Sequence, residues 1–244
     1  MLNLNQQFGN KKIHKSQKTK LVQKVFDDVS DNYELMNDLM SFGLHRLWKK
    51  TLIDLINIQN KQKILDVGSG TGDIGLSIRK RNKLVKIFFS DLNLSMLKKG
   101  KKKLYNKNNN YWINLNAENL PFKNNYFDKY IISFCLRNVT NIKKALRESF
   151  RVLKPGGEFY CLEFGTVNLP LFNYLYNKYK DGFIPFLGKH VANKEYAYKY
   201  LAESINKFPN QKIIEKELRN IGYYQVSIIN LFFGIVVIYK GWKL

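Results

Sequence analysis

The stretch Ile64-Leu65-Asp66-Val67-Gly68-Ser69-Gly70-Thr71-Gly72-Asp73 constrains the fold more than any other part of the chain. An apolar run ends in a carboxylate, glycines follow at 68, 70 and 72, and Ile74, Leu76 and Ile78 then keep helical spacing. This pattern predicts a strand, a tight loop and a helix start. Glycine admits positive φ and lets a ligand approach the main chain, while free N–H groups at a helix start attract anions. The loop therefore reads as a ligand cradle, the bland alternative being a plain strand-to-helix turn. Asp73 stands where a dinucleotide fingerprint carries its third glycine, and Asp66 adds a second acid. Two acids repel a pyrophosphate and suit a ligand with positive charge. S-adenosylmethionine (SAM), with an ammonium, a sulfonium and no phosphate, fits; a Walker loop is excluded because no Gly-Lys-Ser/Thr follows.

From Lys61 onward strands and helices alternate, which predicts βαβ units and a parallel sheet. The helix from Asp73 to about Arg81 is followed by a second strand, Leu84 to Phe89, ending at Ser90-Asp91. Asp91 lies 19 residues beyond Gly72, where nucleoside-binding folds place an acid against ribose hydroxyls; an N-cap is its structural alternative. Tyr111 to Leu115 is the third strand, and the polar residues of the stretch Asn116 to Phe122 after it are placed to meet a base. The fourth, Phe127 to Phe134, delivers Ser133 to the same rim, and Arg137 and Asn138 follow at a strand's carboxyl end, where open α/β sheets bind ligands. Lys154-Pro155-Gly156-Gly157 reads as a turn before the fifth strand, Glu158 to Phe164. Gln225 to Ile229 and Phe233 to Tyr239 read as an antiparallel pair linked around Asn230.

Two further regions flank or interrupt this pattern. Residues 1–60 form a helical extension whose polar start is expected to be loosely ordered up to Lys20, with a lid over the cradle as its use. Residues 61–244 are expected to form the α/β domain around the glycine loop, with a helical insertion at 168–208 that holds Phe172, Tyr174, Tyr176, Tyr179, Phe183, Phe186, Tyr196, Tyr198 and Tyr200. An aromatic insertion there could roof the site and meet a greasy substrate or a membrane interface. The net charge of +22 would favour nucleic acid or an anionic membrane. Yet 34 of the 41 basic residues are lysine, a bias spread over the whole chain, so the charge carries little weight. No apolar run approaches the about 20 residues of a membrane span. Cys135 and Cys161 give neither a disulfide framework nor a metal cluster, as expected in a reducing compartment.

These residues together resemble the ubiquinone/menaquinone biosynthesis C-methyltransferase family of class I SAM-dependent methyltransferases. The likeness runs over nearly the whole chain. Its specific blocks are Tyr33 to Trp48, Leu136-Arg137-Asn138-Val139-Thr140 and Tyr200 to Ile205, whereas the glycine loop and the Lys-Pro-Gly-Gly turn occur in many methyltransferases. The resemblance implies a Rossmann-like α/β sheet of seven strands, mostly parallel with an antiparallel last strand. It implies SAM contacts at Gly68, Gly70, Thr71, Asp91, Asn116, Ala117 and Ser133. The implied reaction is methylation of a ring carbon on a polyprenyl quinol, at the inner face of a bacterial membrane or the matrix face of the mitochondrial one. A homodimer or a quinone-biosynthesis complex is compatible with it. Ser16 departs from an expected glutamate and Cys135 from an expected glycine.

A ring carbon becomes a nucleophile when a phenolic proton leaves, and an unperturbed phenol has a pKa of about 10. A fixed cation favours the phenolate, which makes Arg137 the candidate electrostatic residue, with Asn138 and Tyr33 completing the hydrogen bonding. His45 and His190 are alternative bases, more simply read as structural. Two rival functions stand beside this one. An RNA methyltransferase is favoured by charge, but an Asn/Asp-Pro-Pro-aromatic loop is absent and Cys135 would be a nucleophile without support. A non-catalytic SAM-binding protein at a membrane is the other.

Overall fold

Glycine, proline and polar breaks divide the chain into elements whose apolar faces can be buried only by stacking helices on both sides of a sheet. The computed structural model describes residues 7–30, 33–103, 109–167, 174, 177–179, 182 and 195–244. A small hairpin, β1 (Gln7–Phe8) and β2 (Lys11–Lys12), leads into α1 (Lys15–Val29), α2 (Tyr33–Ser41) and α3 (Leu44–Leu55). The expectation of a loose start up to Lys20 therefore fails from Gln7 onward. Then come β3 (Lys63–Val67), α4 (Asp73–Arg81), β4 (Lys86–Asp91), α5 (Leu94–Lys102), β5 (Asn110–Asn114), β6 (Phe127–Ser133), α6 (Ile142–Val152) and β7 (Leu153–Phe164). The described chain closes with α7 (Glu195–Lys207), α8 (Gln211–Ile221), β8 (Tyr224–Leu231) and β9 (Val236–Trp242).

The main sheet has seven strands in the order β5-β4-β3-β6-β7-β9-β8. The first five are parallel, and β9 runs antiparallel to both of its neighbours, β7 and β8. Alternate strand residues face opposite ways. Leu65, Tyr130, Ile132 and Phe159 pack against Leu146 of α6 and Ile214 and Leu218 of α8. Ile64, Phe89, Ile131 and Tyr160 pack against Trp48 and Leu52 of α3 and Ile74 and Ile78 of α4. Both faces are covered, which is why the central strands are nearly all apolar. A third cluster joins Val25 of α1 to Ala197, Tyr198 and Tyr200 of α7.

Several boundaries differ from the sequence expectation. The second sheet strand, β4, starts at Lys86 rather than Leu84, and it ends at Asp91 as expected, where Asp91 pairs with Asn114. The Lys154–Gly157 segment belongs to β7 as an irregularity, with Gly156 at φ 76° and its N–H donating to the Lys243 carbonyl at 2.6 Å. The final link lies at residues 232–235 rather than at Asn230. Phe232 and Phe233 adopt φ of 47° and 56° there, a conformation rare for bulky residues and not signalled by sequence. Of the aromatic insertion, Phe172, Tyr176, Phe183 and Phe186 lie outside the described residues. No described helix is long and apolar enough to cross a membrane.

Candidate active site

The glycine loop sits at the carboxyl end of β3, between the ends of β4 and β6. Gly68, Gly70 and Gly72 have φ of 63°, 55° and 87°, so all three use the left-handed region. A Cβ on Gly68 would lie 2.2 Å from Cys135 Sγ, and one on Gly72 2.7 Å from the Trp112 ring. On Gly70 it would meet open space. The loop's donors are largely committed within the protein. Ser69 N–H donates to the Ser90 carbonyl (2.9 Å), Gly70 N–H to Asp91 Oδ2 (2.8 Å) and Gly72 N–H to the Ser69 carbonyl (2.8 Å). Gly75 N–H donates to Asp66 Oδ2 (3.1 Å). These bonds shape the cradle, and the expectation of a helix start free to hold an anion is narrowed accordingly.

The two acids of the loop differ in state. Asp73 is bound by Lys49 Nζ at 2.8 Å; burial works to raise its pKa, but Lys49, Lys103 and His45 leave it lowered. Asp66 is almost fully buried, and burial pushes its carboxyl up to about 7 against the pull of the Gly75 bond. No ion pair of Asp66 occurs among the described residues. Asp73, whose charge first pointed to a cationic ligand, is already neutralised, and Asp66 is the acid left to meet an ammonium.

Two joined cavities open from the loop. The smaller, about 110 Å³, is lined by Asp91, Met96, Asn116, Ala117, Ser133 and Cys135 and covered by Thr19, Val22, Gln23 and Phe26 of α1. Several bonds tie α1 across it. Lys18 Nζ donates to the Val139 carbonyl (3.0 Å), Thr19 and Thr140 hydroxyls share a proton at 3.0 Å, and Gln23 Nε2 donates to the Leu92 carbonyl (3.0 Å). Burial drives the Lys18 pKa down to about 8. Asp91 accepts from Gly70 and, through Oδ1, from Asn93 N–H at 2.8 Å, while Asn93 itself caps α5. Asn116 Oδ1 accepts from Glu118 N–H at 2.8 Å, which fixes the turn that presents Ala117.

The larger cavity, about 480 Å³, is walled by Phe26, Phe42, Trp48, Phe134, Phe164 and Phe232, with Tyr33, Arg137, Asn138 and the glycine loop on its polar side. Tyr33, Ser133 and Asn138 line both cavities. Arg137 is 6% exposed and bonded to Glu163, itself 0% exposed. Nη1 donates to Glu163 Oε1 (2.7 Å) and to the Phe134 carbonyl (2.7 Å), and the Arg137 N–H donates to Glu163 Oε2 (3.2 Å). Tyr200 OH donates to Asn138 Oδ1 (3.1 Å). Burial, partly offset by Lys49, raises the Tyr33 pKa and keeps its hydroxyl protonated.

Helix α2 closes over the loop. Thr71 Oγ1 donates to Glu34 Oε1 (3.0 Å), Lys103 Nζ donates to Thr71 Oγ1 (2.9 Å), and Lys103 also pairs with Glu34. His45 in α3 is buried, with Nε2 at 2.7 Å from Asp38 Oδ1; His190 lies outside the described residues. Seven buried side-chain polar atoms lack a hydrogen-bond partner among the described residues, and six line the larger cavity: His45 Nδ1, Trp48 Nε1, Ser69 Oγ, Ser133 Oγ, Arg137 Nε and Tyr198 OH. Buried polar atoms normally find partners. Their concentration around one cavity leaves polar groups there that a polar ligand could satisfy.

A model of the ubiE/COQ5 methyltransferase family matches residues 12–243. The chain belongs to that family. A ubiquinone/menaquinone biosynthesis C-methyltransferase from Rickettsia akari is 45% identical, the match covering 97% of this chain and 98% of the relative. The mitochondrial 2-methoxy-6-polyprenyl-1,4-benzoquinol methylase of Dictyostelium discoideum is 41% identical, over 100% of this chain and 88% of its own length. A SAM-dependent methyltransferase structure from Thermotoga maritima shares the fold at a TM-score of 0.68 and 17% identity, covering 91% of this chain and all (100%) of its own. This ubiE/COQ5 family member is a SAM-dependent methyltransferase with the Rossmann-like fold of class I.

The residues present fit SAM. Ser69 and Ser133 carry unmet buried hydroxyls, Gly70 leaves room before the main chain, and Asp66 has no cation of its own. Sequence reasoning missed Glu163, Lys49 and Glu34 in this family member. Glu163 was visible as a lone carboxylate near the end of an otherwise apolar strand, Phe159 to Phe164. Glu34 lies inside the Tyr33 to Trp48 block and Lys49 directly after it, but their roles could not be read because their partners come from elsewhere in the fold.

Proposed function

We propose that this enzyme methylates a ring carbon of a polyprenylated benzoquinol or naphthoquinol, as peripheral protein of a membrane that holds the substrate. The observation that carries the reading is the larger cavity: a wall of aromatic rings runs up to a polar corner of Arg137, Asn138 and Tyr33 beside the glycine loop. A greasy ring and tail match such a wall, and the ring hydroxyls match the corner. Gly68, Gly70, Thr71, Asp66 and Ser133 would hold the amino-acid part of SAM, and Asp91, Asn116 and Ala117 its nucleoside. SAM supplies an electrophilic methyl group on sulfonium, and over a full turnover a ring C–H becomes C–CH3 with release of one proton.

Arg137 does not act as a lone cation. Its charge is balanced by Glu163, so its contribution is a fixed set of donors aimed by a buried carboxylate rather than a bare field. Asn138, oriented by Tyr200, and Tyr33, kept protonated, can each donate to a ring oxygen. Among the described residues, the two Lys/Arg cations on the cavity wall, Lys49 and Arg137, are already paired with carboxylates, which argues against a phosphate backbone there. Burial, with Asp91 and Glu163 nearby, pushes the Cys135 thiol far up, away from a nucleophilic thiolate.

Purified protein given methyl-labelled SAM together with reduced prenyl quinones and RNA is expected to label the lipid fraction. Label in RNA but not in quinol would refute the reading. Arg137→Ala is expected to retain SAM binding and lose turnover; near wild-type transfer by that variant would overturn its assignment.

A further inference from the structure

We infer that His45, held by Asp38, is the base that takes the phenolic proton in the quinol methylation proposed above, on which this inference rests. His45 and Lys49 stand one turn apart in α3, and both line the larger cavity. His45 Nε2 lies 2.7 Å from Asp38 Oδ1. Asp38 is in turn clamped by Arg46, whose Nε and Nη2 donate to Oδ1 and Oδ2 at 2.7 and 2.6 Å. That fork holds the Asp38 carboxyl far below the ordinary carboxylate range and therefore ionised. An ionised acceptor at Nε2 fixes the Nε2–H tautomer and leaves the Nδ1 lone pair free. Nδ1 is buried and has no hydrogen-bond partner among the described residues.

The other candidates on the cavity wall are spent. Glu163 accepts from Arg137 and from Phe164 N–H, Asp73 is bound by Lys49, and Asp66 is the acid that remains for the ammonium of SAM. Tyr33 is driven toward its protonated form by burial. Among the described residues, Nδ1 of His45 is the basic lone pair left without an occupant. A base must be neutral before the step. Burial and the Lys49 charge lower the His45 pKa, Asp38 raises it, and the net shift is downward, so the ring is neutral at physiological pH. Asp73 also faces it from α4, and Arg46 adds a further cation on its own helix.

In the step, the quinol O–H bond breaks, its proton passes to Nδ1 and the electron pair stays on oxygen, from which it reaches the ortho ring carbon. That carbon forms its bond to the methyl group as the methyl–sulfur bond breaks, the electron pair of that bond staying on sulfur. It then loses its hydrogen as a proton to solvent while the ring oxygen takes back the proton from Nδ1, which restores the aromatic quinol and the neutral imidazole and accounts for the one proton released. Asp38 is a positioning residue: it sets the tautomer and supports the imidazolium.

The test uses the full chain and a prenylated 1,4-naphthoquinol with an unsubstituted ring carbon. His45→Asn and His45→Gln are expected to lower kcat about 100-fold, in line with loss of a general base. SAM affinity by calorimetry should stay within about twofold, since the base does not touch the donor. The fall in wild-type rate on the acid side, below the ordinary histidine pKa, should vanish in both variants. Asp38→Asn should move that acid limb to lower pH, a shift that a merely structural role would not cause. Nitrogen NMR of wild-type protein should show the Nε2–H tautomer, and 2,3-dimethyl-1,4-naphthoquinol, which cannot be methylated beside its hydroxyls, should shift the Nδ1 resonance. Variants with kcat within about fivefold of wild type and an intact acid limb would overturn the inference. If both His45 variants fail to fold, an unmoved acid limb in Asp38→Asn or an Nδ1–H tautomer would overturn it as well. Wild-type protein that leaves the naphthoquinol and a matching benzoquinol unmethylated would refute the proposed function instead.

Discussion

Replacing Glu163 by glutamine would change one atom in a site closed to bulk solvent. The carboxylate is 0% exposed and accepts from the Arg137 guanidinium (2.7 Å), the Arg137 N–H (3.2 Å) and the Phe164 N–H (2.9 Å). Glutamine keeps one acceptor oxygen but turns an NH2 group toward donors, and it leaves the guanidinium of the buried Arg137 without a counter-charge. Removing one partner of a buried ion pair costs about 3–5 kcal/mol. For a domain of this size each kcal/mol shifts Tm by about 2–4 °C, so a drop of roughly 6–20 °C is expected. Urea unfolding followed by tryptophan fluorescence reads the same quantity, provided that m is unchanged. The double variant Arg137→Met/Glu163→Leu should be more stable than Glu163→Gln, because no charge is left buried alone, while its methyl transfer should be lost. A cost for Glu163→Gln below about 1 kcal/mol, or a double variant no more stable than that single one, would refute the assignment of a tightly coupled buried pair.

Three further predictions concern the donor side. Gly68→Ala should weaken SAM binding at least tenfold by calorimetry, since its Cβ would fall 2.2 Å from Cys135 Sγ; adding Cys135→Gly should recover much of the loss and leave a backbone penalty of about 1–2 kcal/mol. With a pKa of about 7, Asp66 is about half protonated at pH 7, and a bound ammonium lowers that value, so SAM binding should release up to about half a proton. Calorimetry in buffers of different ionisation heat measures it, and Asp66→Asn should abolish it. The linked stability has a definite sign: the folded form holds its proton longer than the unfolded one, so the Asp66 contribution falls from about pH 4 to about pH 7 and is level above. Glu34→Gln should speed amide exchange in α2, by no more than about fivefold, because the half-exposed pair with Lys103 is worth at most about 1 kcal/mol.

The central sheet was legible because its parallel strands are buried on both faces and read as unbroken apolar runs, and the glycine loop because three left-handed positions demand glycine. The same logic placed Asp91, Ser133 and Arg137 at strand ends, and the structure brings them around two joined cavities. What escaped has a common cause. Glu163 and Arg137 are 26 residues apart, Lys49 and Asp73 24, and Lys103 and Glu34 69, so each pair exists only after the chain has folded. The turn at Phe232 and Phe233 escaped for another reason: local propensity gives no warning of aromatic residues in a left-handed conformation.

The place of β9 in the sheet has a consequence for synthesis. It is made after every strand it joins, yet it lies between β7 and β8, and Val236 to Tyr239 are wholly buried. Until Val236–Trp242 has left the ribosome, β7 can form its parallel ladder with β6 but presents an open row of unpaired main-chain groups along its other edge. Such an edge is a template for pairing with another chain. The nascent protein is therefore most exposed to aggregation in the interval between completion of β7 and arrival of β9, a span of 71 residues from Gly165 to Ile235 during which a holding chaperone would act.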